Sequence, residues 1–153
     1  MTQWYREQNF EDHIEEHLLN SGYHKCLPTD YDKDLCLIPD EVIRFIQSTQ
    51  PQEYENLQRQ YGAETPEKLC LRLSREITQK GSLHLLRKGF KDRGAKFSLA
   101  YYKPRSGMNP EHQRLYALNR FAVVRQLKYS KKNENSLDLT LFLNGLPIIT
   151  AEL

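Results

Sequence analysis

Cysteine, tryptophan and methionine are scarce in this sequence, at 3, 1 and 2 residues of 153. The cysteines, Cys26, Cys36 and Cys70, are odd in number and show no C-x-x-C spacing, which points away from a disulfide framework and towards free, mostly buried thiols in a reducing compartment. No apolar run approaches the length of a membrane span, and a mean hydropathy of -0.74 agrees. The start, Met1 to Phe10, lacks the basic and apolar regions of a secretory signal, so a cytoplasmic location is expected. There is no G-x-x-x-x-G-K-[ST] phosphate loop, so ATP binding is not assigned to these residues.

What is present suits a folded domain. The apolar share is 39%, with 9 Tyr and 6 Phe, enough for one hydrophobic core in a single domain over 1–153. The net charge of +2 hides a division at residue 70. Residues 1–70 carry 6 Lys/Arg and 14 Asp/Glu, whereas 71–153 carry 16 and 6. Between Arg87 and Lys132, 13 basic residues face only Asp92 and Glu111. Such a stretch is a candidate polyanion surface, since each Lys or Arg laid on a phosphate releases a counterion; the ordinary alternative is a solvated face.

Periodicity predicts helices first and strands last. Phe10, Ile14 and Leu18 recur as one face of a helix over Tyr5–Asn20, stopped by Gly22. Pro39, with Asp40 and Glu41 behind it, starts a second helix that ends before Pro51, and Gln52–Tyr61 continues helically. Thr65 as cap, Pro66, the stripe Leu69, Leu73 and Ile77, and Gly81 mark a third. Ala95–Tyr102 alternates as a strand, Asn109-Pro110 caps a short helix, and Phe121–Tyr129 is β-prone. Leu137, Leu139, Leu141 and Leu143 alternate through a strand that turns at Asn144-Gly145 and runs back through Ile148 and Ile149. The expected class is α+β, with N-terminal helices packed on a mixed, largely antiparallel sheet.

Asp138 is the one charged residue of that apolar strand, and Glu152 lies near the end of its hairpin partner. Two carboxylates on adjacent strands suit a hard divalent cation such as Mg²⁺, which can activate a water beside a scissile phosphate; the alternative is strand-end solvation. A regular two-residue turn would set Asp138 opposite Ala151 and leave the two acids on opposite faces. Sharing a metal requires one extra residue on one strand, and Pro147, with no N–H for the ladder, is the expected place for it.

Three segments, Phe10-Glu-Asp-His-Ile-Glu-Glu-His-Leu-Leu-Asn-Ser-Gly-Tyr23, Phe45-Ile-Gln-Ser-Thr-Gln-Pro51 and Tyr102-Lys-Pro-Arg-Ser-Gly-Met-Asn-Pro110, resemble the start of type I restriction enzyme R subunits. Asn119–Ser130 followed by Ser136–Leu153 resembles that family's nuclease motif region. The resemblance implies a PD-(D/E)xK nuclease domain acting on double-stranded DNA together with modification and specificity subunits. It assigns Asp138 and Glu152 to Mg²⁺ and matches Glu11 to an auxiliary first-helix glutamate, whose alternative is an exposed helix charge. It places the motif lysine one residue beyond Leu153, so this chain alone is expected to cut DNA poorly, and it leaves ATP-driven translocation to downstream domains. Lys103, Arg105, Arg125, Lys128, Lys131 and Lys132 are the cations singled out for DNA, with the basic segment expected to form one face flanking Asp138.

Two other readings stand beside this one. His13-Ile-Glu-Glu-His17 fits the inverted zinc-hydrolase pattern, with His13 and His17 as ligands, Glu16 as the acid, and His24 and Cys26 as possible additions. A docking or scaffold module, its basic half serving partner subunits, is the third.

Overall fold

Proline and acidic residues open the three long helices between residues 39 and 80, because a missing N–H costs nothing in the first turn and a carboxylate there meets the positive end of the helix. A computed structural model describes residues 3–153 of the chain. In it α1 spans Gln3–Asn20, α2 Pro39–Thr49, α3 Pro51–Tyr61 and α4 Thr65–Lys80. Thr65 is not the cap of α4: Glu64 holds that position, and the Thr65 hydroxyl donates backwards to the Gly62 carbonyl at 2.6 Å. Helix α5 (Ser82–Lys88) and strand β2 (Phe90–Asp92) add to the expected elements, and α6 covers Pro110–Ala117. The Asn109 side chain accepts from the Glu111 N–H, as its cap position requires.

Strands β4 (Phe121–Lys128), β5 (Ser136–Leu143) and β6 (Leu146–Ala151) form an antiparallel meander, to which β1 (His24–Lys25) adds in parallel along β4. The sheet is therefore mixed, in the order β1-β4-β5-β6, and the fold is α+β. Strand β3 (Ala95–Phe97) pairs with β2 in a separate hairpin and stops short of the expected Tyr102. After Phe97 the Ser98 N–H is taken by the Gln50 side chain at 2.7 Å, so the ladder ends there.

The main core joins Val42, Phe45 and Ile46 of α2 to Leu57 of α3, Leu69 and Leu73 of α4, Phe97 of β3 and Leu146 of β6. A second cluster, Cys26, Ile38, Ala122, Val124, Leu127 and Phe142, lies against the four-stranded sheet. Helix α1 departs from its sequence reading. Phe10 is 54% exposed, Ile14 and Leu18 are half-buried, and the residues turned inward are Glu11 and Glu15, at 7% and 9%. The cause is Arg125 on β4, whose guanidinium draws the acidic side of the helix onto the sheet.

Candidate functional site

The site begins with the β5–β6 hairpin. Asn144 (φ 52) and Gly145 (φ 88) make a two-residue turn with Leu143 opposite Leu146, the left-handed pair that the twist of a hairpin favours. Phe142 then pairs with Pro147, but Leu141 pairs with Ile149, so Ile148 is the additional residue. A bulge of one residue thus exists where the metal argument required it, at Ile148 and not at Pro147, which keeps a partner in the ladder. Beyond it Leu139 pairs with Ala151, and the same register continued outward sets Asp138 opposite Glu152. The Leu153 N–H donates to Asp138 Oδ2 at 2.7 Å, which keeps the end of β6 beside β5.

Across β5, the register of β4 sets Gln126 opposite Asp138, between the pairs Arg125–Leu139 and Leu127–Leu137. Gln126 has φ 52, a left-handed conformation that costs a residue with a β-carbon on the order of 1 kcal/mol or more. Its side-chain bonds accompany that strain. Nε2 donates to Glu11 Oε1 at 3.1 Å and to Asp138 Oδ1 at 3.3 Å, while Oε1 accepts from the Ser136 hydroxyl at 2.9 Å. One amide therefore ties Glu11 of α1 to Asp138 of β5. The sequence reading did not select Gln126; the available signal was an Arg125-Gln126 pair interrupting an apolar strand.

Glu7, Gln8, Glu11, Arg125, Gln126 and Asp138 line a concavity of about 310 Å³. Among the described residues its one cation is Arg125, which is engaged by Glu11 at 2.9 Å, by Asp12, and by Glu15 at 3.5 Å. Burial opposes the charge on Arg125, but bonds to Asp12 and Glu11 outweigh it and raise the pKa. The pocket keeps an excess of carboxylate. Glu152 is exposed and does not line it, so the structure gathers Glu11 and Asp138 and leaves Glu152 at the strand end.

The cations singled out in the sequence divide. Lys128 pairs with Glu134, Lys131 pairs with Asp34, and Lys103, Arg105 and Lys132 are exposed. The basic segment does not form one face beside Asp138, since Lys88, Lys91 and Lys96 line a different concavity with α4. His13, Glu16 and His17 are exposed. Among the described residues, the one set of three metal-type donors lying within 4.8 Å is His24, Cys26 and Glu41, which joins none of them.

Residues 5–153 match the family model for the type I restriction enzyme R protein N terminus. The chain belongs to that family. No curated protein and no solved structure matches it. As an R-protein N-terminal domain it carries Glu11 and Asp138 in one pocket, and among the described residues no helix is long and apolar enough to cross a membrane.

Proposed function

We propose that this R-protein N-terminal domain is a Mg²⁺-dependent nuclease domain that hydrolyses DNA phosphodiesters within a type I restriction enzyme. The observation that carries the reading is the Gln126 amide of β4 bonded at once to Glu11 and Asp138, beside a hairpin whose bulged register, continued outward, has Asp138 opposite Glu152. The donor set fits the ion. Carboxylate oxygens are the ligands that Mg²⁺ prefers, the pocket opens to water, and the amide N–H group already lies where positive charge between two acids is favoured. Asp138 and Glu152 would hold the ion with Glu11 as the auxiliary acid, and Gln126 would orient the carboxylates from behind. Bound there, Mg²⁺ supplies Lewis acidity to the scissile phosphate and lowers the pKa of the attacking water. Double-stranded DNA is the proposed substrate, with the modification and specificity subunits as the proposed partners.

The test is cleavage by the assembled enzyme carrying Asp138→Ala in its R protein. Loss of cutting by at least about 100-fold, more than an outer-shell change removes, with subunit assembly intact, is expected. Undiminished cutting would reject the assignment.

A further inference from the structure

A concavity of about 280 Å³ between α4, α5 and the β2–β3 hairpin shares no residue with the acidic pocket. Arg72, Lys80, Lys88, Lys91 and Lys96 line it, against Glu76 as its single carboxylate. The adjoining flank of α4 shares Arg72 and adds Lys68, Arg75 and Arg93. Some of these charges have internal work. Arg72 and Lys80 both reach the buried Glu76 at 3.0 Å, and Arg93 stacks on Tyr61 at 4.6 Å from the ring centre. Others have none: among the described residues, Arg75, Lys88, Lys91 and Lys96 have no carboxylate within ion-pair distance.

Lys91 and Lys96 are also direct cross-strand partners in the β2–β3 hairpin, both exposed. Like charges in that relation destabilise a hairpin. The Glu53 carboxylate accepts from the Lys96 backbone N–H at 3.2 Å without an ion pair to either ammonium group among the described residues, and Asp92, the acid between them in sequence, is 5% exposed and accepts from the Tyr61 hydroxyl at 3.0 Å. Around the four-stranded sheet the arrangement is the opposite: Arg120, Arg125, Lys128 and Lys131 are each met by carboxylates. Uncompensated repulsion on one face is relieved by an external polyanion.

We propose that the α4, α5 and β2–β3 face binds the phosphate backbone of duplex nucleic acid, independently of sequence, as a surface separate from the acidic pocket. Lys68 and Lys80 lie at the two ends of a rigid row on α4 that spans about 18 Å at 1.5 Å per residue, roughly the axial rise of five base pairs at 3.4 Å each. An acidic protein partner would need apolar anchors at its centre, and the lining of this concavity offers mainly charged side chains. Lysine-rich contact of this kind positions a duplex without reading its bases. The inference does not depend on the metal reading, and either can fail alone.

The test is fluorescence anisotropy of a labelled mixed-sequence duplex of about 20 bp, long enough to cover the row, titrated with this chain at salt from roughly 50 to 200 mM. With Arg75, Lys88, Lys91 and Lys96 as four phosphate contacts, the log–log salt slope is expected to be about -3.6, at about -0.9 per contact. Lys88→Glu with Lys91→Glu and Lys96→Glu should weaken binding more than about tenfold and reduce the slope by about 3. The corresponding Lys→Gln set gives a smaller shift in the same direction and keeps the test open should charge reversal impair folding. Unaltered binding in the Gln set, or equal competition by polyglutamate, which would mark an acidic protein surface, overturns the proposal.

Discussion

At the residue scale, Glu41 shows how a buried acid can look like a ligand and act as a tie. It lies on α2 at 5% exposure, and its carboxylate takes Arg120 at 2.7 Å, His24 at 2.8 Å and the Cys26 thiol at 3.5 Å. These are the metal-type donors that converge, but the Arg120 guanidinium already supplies the positive charge there. Cys26 fits this account, since burial and the nearby Glu41 charge push its thiol up to about 12, away from the thiolate that a soft metal would need. For Glu41, burial favours the neutral acid, but the bonds from Arg120 and His24 outweigh it and hold the pKa below the ordinary 4.5. A depressed carboxylate contributes stability that is present above its unfolded pKa and lost as pH falls through the lower folded value. Glu41→Gln is therefore expected to cost about 2–3 kcal/mol at neutral pH, less than a fully enclosed pair because Arg120 is partly exposed. Thermal melts from pH 7 to pH 3 should show that difference shrinking below about pH 4.5. A difference constant across the range would contradict the charge argument.

At the element scale, the β5–β6 turn connects the sheet to the helical core. The Gly145 carbonyl accepts from the Ile38 N–H at 3.0 Å, at the start of α2. A β-carbon on Gly145 would lie 2.4 Å from Val42 Cγ2 and 2.8 Å from the Ile38 carbonyl oxygen, in a residue that also needs φ 88. Gly145→Ala should lower stability by about 2–4 kcal/mol, combining left-handed strain with overpacking, and should move the hairpin carrying Asp138. Denaturant unfolding checks this, and a loss below about 1 kcal/mol would mean that α2 yields easily.

The same hairpin shows what a sequence can and cannot disclose. The Asn-Gly turn and the alternating leucines fixed the strands, and the demand that Asp138 oppose Glu152 exposed the one-residue misfit. Proline's missing donor pointed to Pro147, yet the bulge falls on Ile148, because an edge strand tolerates a proline without losing its place in the register. Helix α1 was legible as a helix and not by its face. Its inward side is set by Arg125, more than a hundred residues away, and no local periodicity carries that information. Gln126 was hidden for a related reason: its importance lies in bonds to two acids from different elements.

At the scale of the whole molecule, the uneven charge of the sequence becomes two surfaces and not one. The acidic first half reaches the sheet through α1 and surrounds Arg125, making a pocket rich in carboxylate. The basic second half is partly neutralised around the sheet and left uncompensated beside α4. A polyanion held on the latter and a divalent ion held in the former would use opposite fields of the same domain. The acidic pocket is the proposed cation site, with Asp138 and Glu152 as ligands and Glu11 as the auxiliary acid. It is tested most directly by calorimetric titration of Mg²⁺ into this chain and into its Asp138→Asn and Glu11→Gln forms. Saturable binding that is abolished by Asp138→Asn and weakened about tenfold or more by Glu11→Gln, the scale on which ligand support acts, is the predicted result. Binding that is absent in the unmodified chain, or identical in all three, would contradict it.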